Sequence, residues 1–109
     1  MSGGSLAGRF LVGPFGRIED VDEGACALLG YTRWELLAMH GADLVSAADR
    51  PSVAVAVNEM RLGTIAQRQG RLLRKDGSSI AVDVTGRPLG EGRVELCVVE
   101  VPTSGARAD

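Results

Sequence analysis

Two segments in the C-terminal half of the chain have strand-like residue patterns and are joined by an Asp-Gly pair. After Asp76-Gly77, the apolar residues Ile80, Val82 and Val84 alternate with smaller or polar residues. This period of two, with β-branched residues on one face, is typical of a half-buried strand. Gly adopts positive φ without steric cost, so an Asp-Gly pair between strands is a strong hairpin signal. The pattern therefore predicts a β-hairpin centred on this turn.

The same alternation predicts five strands in all. They lie at residues 9–13, 17–22, 64–75, 79–87 and 93–101. The last of them carries apolar residues on both faces, which is typical of a central strand covered on each side.

Between the second and third strands the periodicity becomes helical. Asp22 can cap a short helix that ends at Gly30, because its side chain can accept from the free N–H groups of the first turn. Thr32, with Glu35 three residues later, forms a capping box for a second helix, which is predicted to end at Gly41.

A third helix of about 13 residues is predicted to follow, and its apolar face is expected to pack on the sheet. Ser46 or Asp49 is its predicted cap, Pro51 lies in its first turn and Gly63 ends it. The resulting order β-β-α-α-α-β-β-β indicates an α+β domain with an antiparallel sheet and helices on one face.

Length, composition and charge are those of one globular domain. The chain has 109 residues, 45% hydrophobic residues and a net charge of −2, a charge that favours neither nucleic acid nor an anionic membrane. No apolar segment approaches the ~20 residues needed to span a bilayer, and the N terminus lacks a secretory signal pattern. We expect a cytoplasmic protein with reduced Cys26 and Cys97. A domain at 9–101 is expected between flexible tails at 1–8 and 102–109.

Four short motifs follow one another along the chain. They are Gly16-Arg17-Ile18 with Val21-Asp22, Leu28-Leu29-Gly30-Tyr31-Thr32 with Glu35-Leu36, Asp49-Arg50, and Arg74-Lys75-Asp76-Gly77-Ser78. In their order and spacing the chain resembles the PAS domain family over about residues 9–101. The resemblance implies a five-stranded antiparallel sheet of order 2-1-5-4-3, with short helices and one longer helix on one face.

The resemblance also implies a function. PAS domains are sensory and dimerisation modules, so the chain is expected to be a sensory or protein-interaction domain of a bacterial signal-transduction or regulatory protein. Its expected partners are a second copy of the chain, in a homodimer, or another signalling domain or regulator. The alternative is a sensor that binds a small molecule or cofactor in a pocket between the sheet and the long helix.

Residues that could carry cofactor or enzyme chemistry are few. The single histidine, His40, would be alone as a haem or metal ligand, and Cys26 does not lie in the Asn-Cys-Arg-Phe-Leu motif of flavin-binding PAS photosensors. We therefore expect no haem, flavin or metal and no catalysis, while an unidentified small molecule stays an alternative. His40 is expected to interact with the last carbonyls of the second helix.

One face of the third strand could border a pocket. If this face points at the long helix, Ala66 and Gly70 leave space and Arg68 places a cation in it, which suits a carboxylate or another anionic ligand. The predicted lining residues are Val57, Ala66, Arg68, Gly70, Leu72 and Val82. The alternative is that Arg68 faces water or extends along the surface at the strand end.

The outer face of the last strand is the second candidate site. Cys97, Val99 and Val101 leave apolar surface there, and Trp34 is predicted to add to this or to another contact. Such a patch usually marks a partner surface, here a homodimer contact. The basic residues between 61 and 75 lack interleaved aromatic residues, so they indicate a solvated hairpin rather than a nucleic-acid site.

Overall fold

A computed structural model of the chain describes residues 7–101. These residues form a five-stranded antiparallel sheet with its connecting helices. The strands are β1 (Ala7–Val12), β2 (Ile18–Val21), β3 (Gln67–Leu73), β4 (Ser79–Gly90) and β5 (Arg93–Glu100). Their order in the sheet is β2-β1-β5-β4-β3. The predicted sheet order and the central position of the last strand are both confirmed.

The first strand begins earlier than predicted. Ala7 pairs with Val99 and Gly8 with Val98, so these two residues belong to β1 and not to an N-terminal tail. Gly8 is buried because α1 crosses so closely that a Cβ built on it would lie 2.4 Å from the Cα of Ala25. The rest of the predicted tails, residues 1–6 and 102–109, lies outside the described residues.

Three α-helices and two 3-10 helices connect β2 to β3. The α-helices are α1 (Glu23–Leu29), α2 (Arg33–Leu37) and α3 (Arg50–Leu62), and the 3-10 helices are Gly41–Leu44 and Ala47–Asp49. The long helix α3 has 13 residues and ends at Gly63, which has a φ of 80°. The predicted length and end of this helix are confirmed.

The predicted caps of the two short helices are present. The Asp22 side chain accepts from the backbone N–H of Ala25 at 2.9 Å and from that of Arg9 at 3.0 Å, so it also joins α1 to β1. Thr32 accepts from the N–H of Glu35 at 3.1 Å, and the Glu35 carboxylate accepts from the N–H of Thr32 at 2.8 Å. This reciprocal pair satisfies two of the free donors at the start of α2.

Two details of the helical segment differ from the prediction. The second helix ends at Leu37 rather than near Gly41, so His40 lies beyond it and caps the following 3-10 helix instead. At the start of α3, Asp49 makes no side-chain cap bond. The chain enters α3 from a 3-10 turn, and the φ and ψ of Asp49 (−91° and −12°) are already helical, unlike those of a normal N-cap.

The hydrophobic core lies between the helices and one face of the sheet. Its largest fully buried side chains are Leu28, Leu29, Leu36, Met60, Val82 and Val94. The helix α3 packs mainly on β4 and only lightly on β3. This uneven packing positions the cavity described below.

The β3–β4 hairpin has the predicted turn. Gly77 has a φ of 92°, and one carboxylate oxygen of Asp76 accepts from the N–H of Ser78 at 2.9 Å and from its hydroxyl at 2.6 Å. The backbone N–H of Lys75 donates to the carbonyl of Leu29 at 2.9 Å, which joins the hairpin to the end of α1. The turn thereby fixes the register that pairs Gly70 with Val82.

Candidate functional site

A cavity of about 340 Å³ lies between α3 and the inner face of the sheet. Its walls are mostly apolar, with Val53 and Val57 from α3 and with Val82, Val84 and Leu96 from the sheet. Small-molecule sites in proteins have volumes of about 300 to 1,000 Å³ and similar apolar walls. The cavity is therefore large enough for a small organic molecule.

The cavity exists because α3 is close to one strand and distant from the next. A Cβ built on Gly86 of β4 would lie between 2.6 and 2.8 Å from three side-chain atoms of Met60 on α3. A Cβ built on Gly70 of β3 would meet nothing within 4 Å. The helix therefore touches the backbone of β4 and leaves space over β3.

The structure brings together most of the residues predicted to line a pocket. Val57, Arg68, Gly70, Leu72 and Val82 all border the cavity. Their role in binding stays a prediction.

Ala66 does not border the cavity. It is exposed and precedes β3 by one residue. Its carbonyl accepts from the backbone N–H of Gly86 at 2.8 Å, so Ala66 contributes to strand pairing instead.

Arg68 extends toward the start of α3. Its Nη1 donates to the carbonyl of Ser52 at 2.8 Å, and its Nε donates to the carbonyl of Gln69 at 3.2 Å. On the other side of the first turn of α3, Arg50 Nε donates to the carbonyl of Ala42 at 3.0 Å. Arg50 and Arg68 are both among the residues that border the cavity, near the start of α3.

Arg61 occupies the opposite end of α3. Its Nε donates to the carbonyl of Gly92 at 2.6 Å, and its Nη2 donates to the carbonyl of Gly13 at 3.0 Å. These carbonyls belong to the β4–β5 and β1–β2 connections, so a single side chain joins the helix end to both. Arg61 therefore connects three parts of the fold, whereas Arg50 and Arg68 bond near the start of α3.

His40 also borders the cavity and joins two loops. Its Nδ1 accepts from the backbone N–H of Ala42 at 3.0 Å, and its Nε2 lies 2.6 Å from the carbonyl of Phe15. The acceptor role of Nδ1 assigns the imidazole proton to Nε2, which donates to Phe15. The predicted interaction with the carbonyls at the end of α2 is wrong, because α2 ends three residues before His40.

The predicted partner surface is divided between two elements. Cys97 and Val99 lie on the outer face of β5, and Val101 follows the strand with its N–H bonded to the carbonyl of Ala81 at 2.9 Å. Val99 is 42% exposed. Trp34 is 77% exposed but lies on α2, which packs against β2 rather than β5.

A carboxylate lies beside this apolar patch. Asp83 of β4 is directly opposite Val99 on β5. Its Oδ1 is buried and has no hydrogen-bond donor within residues 7–101. A buried carboxylate oxygen without a donor is unfavourable, so this position would gain from an external donor.

The groups with shifted pKa values lie outside the cavity lining. Three carboxyl groups have a pKa lowered mainly by a hydrogen bond from a neighbouring side chain: Asp20 from Arg33, Glu35 from Lys75 and Asp76 from Ser78. Burial raises the pKa of the Cys26 thiol, and the negative charge of Asp22 raises it further. These shifts belong to the Asp20–Arg33 ion pair, a helix cap, a turn and a half-buried thiol.

Within residues 7–101, no group of three or more His, Cys, Asp or Glu side chains could hold a metal ion. Of the helices in this part of the chain, none has the length and apolar character to cross a membrane.

A family model described as the PAS fold matches residues 18–100. The chain belongs to the PAS fold family. The resemblance predicted from the four short motifs is thereby confirmed. No curated protein is significantly similar to this PAS domain in sequence.

Several solved structures are similar to this PAS domain. A domain of a sensory box sensor histidine kinase/response regulator from Geobacter sulfurreducens is 23% identical, with a TM-score of 0.75 over 88% of this chain and 83% of that one. A PAS domain from Desulfitobacterium hafniense is 20% identical, with a TM-score of 0.72 over 86% and 91% of the two chains.

A third similar structure is the PAS domain, in complex with ethanol, of a LuxR-family transcriptional regulator from Burkholderia thailandensis. It is 17% identical, with a TM-score of 0.72 over 87% of this chain and 88% of that one. At these identities the three similarities establish the shared fold.

Arg50, Arg61 and His40 border the cavity but were not among the predicted pocket residues. Arg50 is part of the Asp49-Arg50 motif at the start of the long helix, and this motif could have pointed to it as a pocket residue. The position of His40 depends on where α2 ends, and that end carries no glycine or proline signal. Arg61 was predicted as one of the solvated basic residues between 61 and 75.

Proposed function

We propose that this PAS domain is the sensory module of a signalling or regulatory protein and binds a small molecule in the cavity between α3 and the sheet. The observation that carries the proposal is the 340 Å³ space over Gly70, bordered mainly by apolar side chains. Further support comes from the similar domains, which belong to a sensor kinase and to a transcriptional regulator whose PAS domain is described with bound ethanol. We also propose a cytoplasmic location and no catalytic activity.

Filling the cavity tests this function. Gly70 is not in the left-handed region, and its Cβ position is free, so Gly70→Phe places a ring in the cavity without backbone strain. With octan-1-ol as the probe, NMR titration of the wild type should shift the methyl signals of Val57 and Val82. The Gly70→Phe variant should lose these shifts.

The control is Thr85→Phe, which adds the same ring to an exposed position of β4. This variant should bind octan-1-ol as the wild type does. Unshifted methyl signals in the wild type, or equal binding by folded Gly70→Phe, would contradict the proposal.

A second function is supported by a separate observation. The outer face of β5 exposes Val99, and the adjacent Asp83 has a buried oxygen without a donor within residues 7–101. Both features suit contact with a second copy of the chain or with another signalling domain. We therefore propose this face as a partner surface, with the homodimer as the first case to test.

Sedimentation velocity can test the homodimer. Val99→Glu should lower the sedimentation mass from dimer to monomer, because a carboxylate would enter the apolar contact beside Asp83. Val55→Glu is the matched control, since Val55 is 59% exposed on α3, on the other side of the sheet. A monomeric wild type, or a dimer that survives Val99→Glu, would count against the homodimer.

A further inference from the structure

We infer that the ligand is an amphipathic organic anion, whose apolar body fills the cavity and whose carboxylate meets the arginines near the start of α3. This inference rests on the proposed ligand-binding function and names the chemical class of the ligand. It follows from an uneven distribution of charge around the cavity.

Ten of the eleven basic residues within residues 7–101 fall into two groups, and Arg17 belongs to neither. The salt bridges within residues 7–101 involve basic residues that do not border the cavity: Arg9, Arg33, Arg74, Lys75, Arg87 and Arg93. The arginines that border the cavity are Arg50, Arg61, Arg68 and Arg71. None of these four forms a salt bridge within residues 7–101, and no Asp or Glu borders the cavity.

Hydrogen bonds to carbonyls leave the arginine charge in place. Arg50 and Arg68 donate to the backbone carbonyls of Ala42 and Ser52, which are neutral acceptors. Among the described residues, the terminal nitrogens of Arg50 have no hydrogen-bond acceptor, since only its Nε donates. The acidic residues nearest to it in sequence, Asp43 and Asp49, form no salt bridge with it in the same part of the chain. An incoming carboxylate would supply the missing negative charge.

The geometry suits a carboxylate more than other head groups. A guanidinium group presents N–H donors in a planar fork that matches the two oxygens of a carboxylate. A cationic head group would be repelled, and a hydroxyl group would add a hydrogen bond but no charge. The site should therefore rank ligands with the same apolar chain as anion, then neutral, then cation.

The cavity volume limits the apolar part of the ligand. An apolar cavity of about 150 Å³ holds one benzene molecule, and this cavity is about 340 Å³. A linear chain of roughly eight carbons fits that space. Octanoate, octan-1-ol and octylammonium therefore form a matched series in which only the head group differs.

Isothermal titration calorimetry of the full chain with these three probes tests the inference. Octanoate should bind about tenfold more tightly than octan-1-ol, since a hydrogen bond between charged groups contributes about 1.5 kcal/mol or more. Octylammonium should bind most weakly. A weak salt dependence of octan-1-ol binding and a strong one for octanoate would accompany this order.

Variants locate the preference at the proposed arginines. Arg68→Gln and, separately, Arg50→Gln should remove most of the tenfold preference for octanoate over octan-1-ol, with both ligands measured on the same variant. Arg87→Gln is the matched control. It removes the same charge from the neighbouring strand β4, at an exposed position that does not border the cavity. This control should keep the preference.

The possible outcomes separate this inference from the proposed function. If octan-1-ol binds and octanoate binds no better, the anion inference is wrong and the cavity function stands. If Arg87→Gln lowers octanoate affinity as much as Arg68→Gln and Arg50→Gln, general surface charge explains the preference and the inference is also wrong. If none of the three probes binds the wild type, the proposed ligand-binding function fails as well.

Discussion

Gly70 of β3 and Gly86 of β4 both face α3 from the inner side of the sheet, yet their surroundings differ. Gly86 is buried beneath Met60, and the absence of its side chain allows the helix to approach the strand. Gly70 has nothing within 4 Å of its Cβ position. The first glycine provides close packing and the second provides space, so one residue type has two roles on neighbouring strands.

The comparison shows how a small domain can keep a cavity without losing its core. Helix α3 is held at its C-terminal end by Met60 over Gly86 and by the hydrogen bonds of Arg61. Nearer its start it has light contact with β3, where Arg68 reaches across to Ser52. Helix α3 is therefore packed closely against the sheet near its C-terminal end and leaves open space over β3.

The largest loss of stability should come from removing the contact between Met60 and Gly86 at the C-terminal end of α3. Met60→Ala should lower the free energy of unfolding by about 2 to 5 kcal/mol, because Met60 is buried and its loss extends the cavity toward Gly86. Urea denaturation followed by circular dichroism measures this change. Val55→Ala on the exposed side of α3 should change stability by less than about 0.5 kcal/mol. A loss of less than about 1 kcal/mol for Met60→Ala would contradict the claim that Met60 holds the C-terminal end of α3 to the sheet.

A smaller loss of stability is expected when a side chain is added at Gly86, where α3 lies close to the strand. Gly86→Ala should destabilise the domain by about 1 to 3 kcal/mol, since the new methyl group would overlap Met60. In the Gly86→Ala, Met60→Ala double variant, part of this cost should disappear, because the Sδ and Cγ of Met60 are gone and only the Cβ still overlaps. Additive losses in the double variant would show that the two residues are not in direct contact.

The smallest effect should come from Gly70→Ala. The methyl group meets no atom, and replacing Gly with Ala reduces the entropy of the unfolded chain, so stability should stay unchanged or rise by up to about 1 kcal/mol. Thermal unfolding of Gly70→Ala beside Gly86→Ala is the direct measurement. Equal destabilisation of the two variants would remove the distinction between the glycines.

Features set by neighbouring residues were predictable from the sequence. The Thr32–Glu35 capping box, the Asp22 cap and the Asp76-Gly77 turn all depend on side chains within three residues of the backbone groups that they satisfy. The sheet order came from the family resemblance of the motifs, since alternation alone does not specify which strands pair.

Features set by the path of the chain in space were less predictable. Alternation placed Arg68 and Gly70 on one face correctly, but it also included Ala66, which lies outside the regular strand. Arg50 reaches the cavity because the 3-10 turn at Ala47–Asp49 sets the direction in which α3 starts. The sequence does not show whether Trp34 lies on the same surface as the β5 patch, because this depends on the packing of α2 against β2.

The hydrogen bonds of Arg61 also limit how α3 can move. Its guanidinium group bonds to Gly13 and Gly92, in the loops on either side of the helix end, so sliding or lifting that end would break both bonds together. The start of the helix is also held by side-chain hydrogen bonds, since Arg68 of β3 donates to the carbonyl of Ser52 and Arg50 donates to that of Ala42. A molecule that enlarges the cavity would therefore have to break the Arg68–Ser52 bond before the start of α3 could move away from β3.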